Sequence, residues 1–152
     1  MKIYDCFMFF DEEMLLDLRL NIMNEYVDKF VITESVYMHS GKPKKLIFDI
    51  NKFSKFKDKI IYIVVDKAPP DLIEIKKDES IDIKQSKMTI NAKKREMYQI
   101  NKTKDGIVDA ELNDMIIVSD VDEIPNLEKV DFKKISNKLI FFKQKMFYYK
   151  LN

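Results

Sequence analysis

The chain has 152 residues, of which 46% are hydrophobic and 12% aromatic, with only two glycines and four prolines. That composition supports one domain with a buried core and excludes disordered, collagenous and low-complexity classes. Charged residues make up 35%, but 27 basic side chains stand against 26 acidic ones for a net charge of +1, so nothing draws the chain to nucleic acid or an anionic membrane, and a bound anion has to be held by a local site.

In chain order, Ile3–Phe10 is a near-continuous apolar and aromatic run that predicts a buried strand. Cys6, the only cysteine, sits in this run. No intrachain disulfide or cysteine-based zinc centre is possible, and the residue reads as a buried inert thiol of a protein in the reducing cytoplasm. Asp11-Glu12-Glu13 supplies a helix start and rules out a signal peptide here. Leu15, Leu18 and Ile22 follow at helical spacing, with Leu16, Leu20 and Met23 widening the expected buried face. Phe30–Thr33 predicts a second strand, Ser35–Lys45 a polar loop, and Ile60–Val65 a third strand. Asp66–Ser80, with Pro69-Pro70 and many charges, reads as a surface loop. A helix is expected over Thr89–Lys104, ending near Gly106, with a weak apolar face of Ala92, Met97 and Ile100. Met115–Val118 predicts a fourth strand, and Leu139–Phe142 and Met146–Leu151 two aromatic strand-like runs. No apolar run approaches the ~18 residues that span a bilayer.

Strand–helix alternation predicts a three-layer α/β domain with a largely parallel sheet over residues 1–152. Ligands of such sheets bind beyond the carboxyl ends of the strands. That rule selects Phe9–Asp11, Glu34, Asp66 and Asp120–Glu123. Asp120-Val121-Asp122 is the only Asp-x-Asp in the chain, and Pro125 keeps the strand before it from continuing. Carboxylates so close repel one another unless a cation or solvent separates them. A hard divalent ion, Mn²⁺ or Mg²⁺, suits oxygen ligands and keeps positions free for phosphate; the alternative is an acidic turn that is merely solvated. His39, the sole histidine, lies in the polar loop and reads as a surface residue. Tyr148 and Tyr149 read as core or sheet residues.

Three collinear blocks resemble glycosyltransferase family 17. The first is Met1-Lys2-Ile3-Tyr4-Asp5-Cys6-Phe7 with Phe9-Phe10-Asp11-Glu12 and Leu16-Asp17-Leu18-Arg19-Leu20. The second is Val31-Ile32-Thr33-Glu34-Ser35 followed by Ser40-Gly41-Lys42-Pro43-Lys44, and the third Ser119-Asp120-Val121-Asp122-Glu123-Ile124-Pro125. The resemblance implies the nucleotide-sugar-binding, Rossmann-like half of a GT-A domain. It also implies transfer of a sugar, N-acetylglucosamine in particular, from a UDP-sugar donor to a glycan acceptor with Mn²⁺ or Mg²⁺. Asp120 and Asp122 are then the metal ligands, and Phe10, Glu34, Gln99, Asn101, Asp120 and Val121 the contacts to the nucleotide sugar. One block departs from the pattern: Glu96-Met97-Tyr98-Gln99-Ile100-Asn101 has Ile100 where the family tends to carry arginine, and Arg95 lies on a different face of that helix. The resemblance places the acceptor contacts and the catalytic base beyond Asn152, so this chain alone is expected to bind the donor without transferring its sugar. The residues themselves leave open a non-catalytic nucleotide-binding module and a Mg²⁺-dependent phosphohydrolase.

Overall fold

The computed structural model describes residues 1–135 and 137–145. Four strands, β1 (Ile3–Met8), β2 (Lys29–Ser35), β3 (Ile60–Val65) and β4 (Met115–Val118), form one sheet in the order β3-β2-β1-β4, every pair parallel. The α/β expectation holds. β1 has a strand on each side, Cys6 standing opposite both Val31 and Val118, and chain packed over both faces, which is why its sequence is apolar almost throughout. One face carries the main core, with Phe7, Leu16, Leu20, Met23, Phe30, Ile32, Phe53 and Ile117 in contact. The other carries a smaller cluster of Tyr4, Cys6 and Val31 with Ile61, Ile63 and Ile107 packed on it. Burial raises the Cys6 thiol to about 12, so it is a thiol, not a thiolate, near neutral pH. Among the described residues, no helix is long and apolar enough to cross a membrane.

Helix α1 (Glu13–Met23) returns the chain from β1 to β2. Glu12 does not cap it with its side chain; its carboxylate turns back and accepts from the backbone N–H groups of Phe10 and Asp11, each at 3.1 Å. The buried stripe is Leu16, Arg19, Leu20 and Met23, a regular i, i+3, i+4, i+7 set. Leu18 and Ile22, expected inside, are 48% and 46% exposed. Leu16, Leu20 and Met23 are inside as expected, but the stripe's centre is an arginine, which apolar periodicity counts as an outward residue.

Helix α2 (Ile81–Asn101) begins well before the expected Thr89, at Ser80, whose hydroxyl accepts from the Ile83 N–H at 3.4 Å. The only residues it buries are Asn91 and Gln99. Asn91 ties it to the 66–80 loop by exchanging two hydrogen bonds with the Ile73 backbone, 2.7 and 2.8 Å, and Lys94 adds an ion pair to Asp71. Polar anchors replace an apolar stripe, so the first two turns gave no periodic signal. A 3-10 turn, Lys102–Gly106, follows. A Cβ on Gly106 would lie 2.5 Å from Val31 Cγ1 and 3.2 Å from Ile61 Cγ2 and Ile63 Cδ1; close approach, not a left-handed backbone, demands glycine there. Leu139–Phe142 forms no strand, and Met146–Leu151, with Tyr148 and Tyr149, lies outside the described residues.

Glu34 ends β2 as anticipated and has no exposed surface. Its carboxylate accepts from Lys44 Nζ, from the backbone N–H groups of Ile47 (2.9 Å) and Phe48 (3.1 Å), and from the Tyr62 hydroxyl at 2.7 Å. Burial alone would raise its pKa; the four donors outweigh it and hold the carboxyl below the ordinary glutamate value. Glu34 is therefore engaged within the chain, fixing the 44–48 segment against the sheet. That segment stacks Phe48 on Tyr62 with ring centroids 4.5 Å apart.

Two outcomes follow from this packing. Gly106→Ala should lower stability by about 1–3 kcal/mol through overpacking, read as a lower urea midpoint; an unchanged midpoint would contradict the contact with Val31. Glu34→Gln should lose about 3–5 kcal/mol at neutral pH by leaving Lys44 without its buried partner. Because the native carboxyl is depressed, this contribution is complete above the ordinary glutamate pKa and disappears as pH falls through the lower folded value. Urea titrations of wild type and variant from pH 7 to pH 3 should therefore converge at the acid end.

Candidate functional site

From β1 the chain crosses by α1 to β2 and on to β3 on one side, then returns to place β4 on the other side of β1. The strand order reverses between β1 and β4, and such a reversal opens a crevice at the carboxyl ends of the two strands. A cleft of about 460 Å³ lies there. Met8, Phe9 and Phe10 at the end of β1 line it, with Glu12 and Leu15 at the start of α1. Asp120, Val121 and Asp122 after β4 form the opposite wall, and Gln99 and the segment after β2 close the remainder.

That segment is a tight hairpin. Tyr37 bridges to Pro43, the Met38 N–H donates to the Lys42 carbonyl (2.8 Å), and the Lys44 N–H to the Val36 carbonyl (2.7 Å). Its tip needs Gly41, whose φ is +88°. The Arg95 guanidinium from α2 packs against this glycine, where a Cβ would meet it at 2.7 Å, and donates to the His39 carbonyl at 3.1 Å. The hairpin thereby presents Tyr37, Met38, His39 and Lys44 to the cleft. Lys44 Nζ also stands 5.3 Å from the centre of the Phe10 ring.

The acidic loop is held from beneath. Arg19 is fully buried and forms a two-pronged pair with Asp5, itself fully buried, at 2.8 and 2.7 Å. Its remaining N–H groups reach the carbonyls of Asp120 (2.7 Å), Val121 (3.2 Å) and Glu123 (3.2 Å) and the Ser119 hydroxyl (2.7 Å). The loop closes on itself through the Glu123 N–H to the Asp120 carbonyl at 3.0 Å and the Ile124 N–H to the Asp122 carbonyl at 3.1 Å. Val121 points into the core and is buried. The carboxyl of Asp120 is raised above the ordinary aspartate value, first by desolvation and then by Glu123, Asp122 and Glu96, with Lys93 opposing. This is an all-oxygen, like-charged set, the donor chemistry a hard cation relieves. Among the described residues, no three His, Cys, Asp or Glu side chains converge into a ready-made metal cage, so a cation held here would take ligands from outside the chain as well.

Of the residues expected from sequence, the structure brings Phe10, Gln99, Asp120, Val121 and Asp122 to one cleft. Gln99 is buried and donates to the Thr33 carbonyl at 3.0 Å. Glu34 is absent from the lining, for the reason given above. Asn101 is exposed at the last turn of α2 and is not in the lining; two residues of helix turn it about 200° from Gln99. Asp66, exposed beyond β3, is likewise not in the lining. His39 is exposed as expected, yet on the cleft wall. Sequence reasoning missed Arg19 and Asp5, whose signal was a charged residue inside each of two otherwise apolar patterns. It also missed Lys44 and Tyr37, whose only signal was the Gly-Lys-Pro turn between them.

The profile of glycosyltransferase family 17 matches residues 1–151, essentially the whole chain. No curated protein and no solved structure matches it. The all-parallel α/β fold agrees with that match, and the chain belongs to glycosyltransferase family 17.

Proposed function

We propose that the cleft holds the nucleotide diphosphate of a UDP-sugar, and that the protein takes part in transferring N-acetylglucosamine from it to a glycan acceptor with Mn²⁺ or Mg²⁺. Membership of the family supports sugar transfer in general, with a nucleotide-sugar donor and a glycan acceptor. The single observation that supports the finer reading is the pairing, in one crevice, of the like-charged carboxylates Asp120 and Asp122 with the half-exposed Phe10 ring and Lys44.

Each wall has chemistry suited to one part of the donor. The Phe10 ring, 40% exposed, offers an apolar face to a flat base. Asp122 and Asp120 would hold the cation, which when bound offsets charge on the diphosphate leaving group. The loop that carries them is bonded from below by Arg19, through three of its carbonyls. The hairpin residues Tyr37, Met38, His39 and Lys44 line the side opposite the acidic loop. A phosphohydrolase built on the same carboxylates is disfavoured by the family match.

Calorimetric titration of UDP should give measurably tighter binding with Mn²⁺ than with EDTA. Equal affinity in the two conditions would remove the cation from the site. GDP and ADP titrated alongside should bind more weakly than UDP.

The Asp122→Ala variant should lose the Mn²⁺-dependent part of UDP binding while unfolding at the wild-type urea concentration. Glu25→Ala, an exposed change in the turn after α1, should bind as wild type and stay within about 0.5 kcal/mol of its stability. Indistinguishable Mn²⁺–UDP binding by the two variants would locate the site elsewhere.

A further inference from the structure

We infer that Arg19 is a positioning residue for the Asp120/Asp122 site, its guanidinium fixing the backbone from which those two carboxylates are presented to the cleft. The inference rests on the reading of Asp120 and Asp122 as the cation-binding pair.

The geometry separates two tasks on one side chain. Nε and one N–H of Nη2 go to the two Asp5 oxygens, 2.8 and 2.7 Å away, so the charge is balanced inside the core. The second N–H of Nη2 goes to the Ser119 hydroxyl at 2.7 Å, and Nη1 to the carbonyls of Asp120, Val121 and Glu123. Ser119 extends the clamp by donating on to the Glu123 carbonyl at 3.2 Å. Three carbonyls within four residues are thus turned inward onto one group. The alternating residue Val121 is buried in the core, and the carboxylates of Asp120 and Asp122 line the cleft. No Asp120 or Asp122 side-chain oxygen is used by the clamp, so both stay free for a ligand. Arg19 is also stacked on Phe7, its guanidinium carbon 4.6 Å from the ring centre, which fixes the plane of the fork. A purely structural ion pair would need Asp5 alone; the four bonds to the 119–123 loop are what a positioning role adds. Lysine could pair with Asp5, but its point charge could not serve that many acceptors at fixed angles.

The test uses the full chain and four proteins: wild type, Arg19→Lys, Ser119→Ala and Ser119→Thr. UDP is titrated with saturating Mn²⁺ and again with EDTA, and each protein is unfolded in urea. Ser119→Ala should keep its fold and its EDTA affinity but weaken Mn²⁺-dependent UDP binding about 3–10-fold. Ser119→Thr, which restores the hydroxyl, should recover it. Arg19→Lys should lose at least as much. Where Arg19→Lys fails to fold, the alanine–threonine comparison decides. Wild-type Mn²⁺–UDP affinity in Ser119→Ala, or an equal loss with and without Mn²⁺, would overturn the positioning role while leaving the cation reading intact. Absence of Mn²⁺-dependent binding in the wild type would overturn the cation reading, and with it this one.

Discussion

The buried pair between Arg19 and Asp5 is the constraint around which the molecule is arranged. A guanidinium with no exposed surface is tolerable only when its charge is matched and its donors are filled. Asp5 supplies the charge from the middle of the central strand, and the loop after β4 fills the donors. Three elements distant in sequence, β1, α1 and the acidic loop, must therefore meet at one point. The sheet can satisfy this because β1 is its inner strand next to β4. The same adjacency creates the crevice where the strand order reverses. Fold and site are consequences of one juxtaposition.

Electrostatics on the two sides of the loop differ in net charge and in solvation. Beneath it, charge is neutralised in a dry environment. Above it, Asp120, Asp122, Glu123 and Glu96 crowd together, and desolvation with mutual repulsion raises the Asp120 carboxyl. Glu34 shows the opposite outcome for a carboxylate at the end of β2, on the other side of β1. It gathers four donors from its own chain and is held low. Two acidic residues at the rim of one parallel sheet thus fall to different uses according to whether the chain satisfies them itself.

Much of this architecture was legible in the residues. The four strands declared themselves as short β-branched or aromatic runs, and the acidic triplet after Val118 was visible because an apolar strand ran directly into it. What stayed hidden shares one physical cause. The α1 stripe passes through Arg19, and α2 is anchored by Asn91 and Gln99, so hydrophobic periodicity misjudged the first and started the second late. Glu34 sat at the position where a ligand contact was expected. Its partners Lys44, Ile47, Phe48 and Tyr62 come from a loop and a strand whose approach no local pattern encodes. Asn101 stands off the cleft lining for a simpler reason: residues two apart on a helix do not share a face.

The parallel sheet also sets an order of events during synthesis. β1 and β2 can pair once α1 has formed, because fewer than thirty residues separate their registers (Tyr4 opposite Lys29). The other flank of β1 waits for Met115, which pairs with Ile3, and the four bonds made by Arg19's three remaining N–H groups wait for partners about a hundred residues away. Until the ribosome has delivered β4 and the turn beyond it, the nascent chain holds an arginine whose charge is matched but whose fork is half filled. Closing so long a loop is slow compared with forming local turns. The crevice is accordingly among the last features to appear, and a chain stalled before Met115 would have three strands and no cleft.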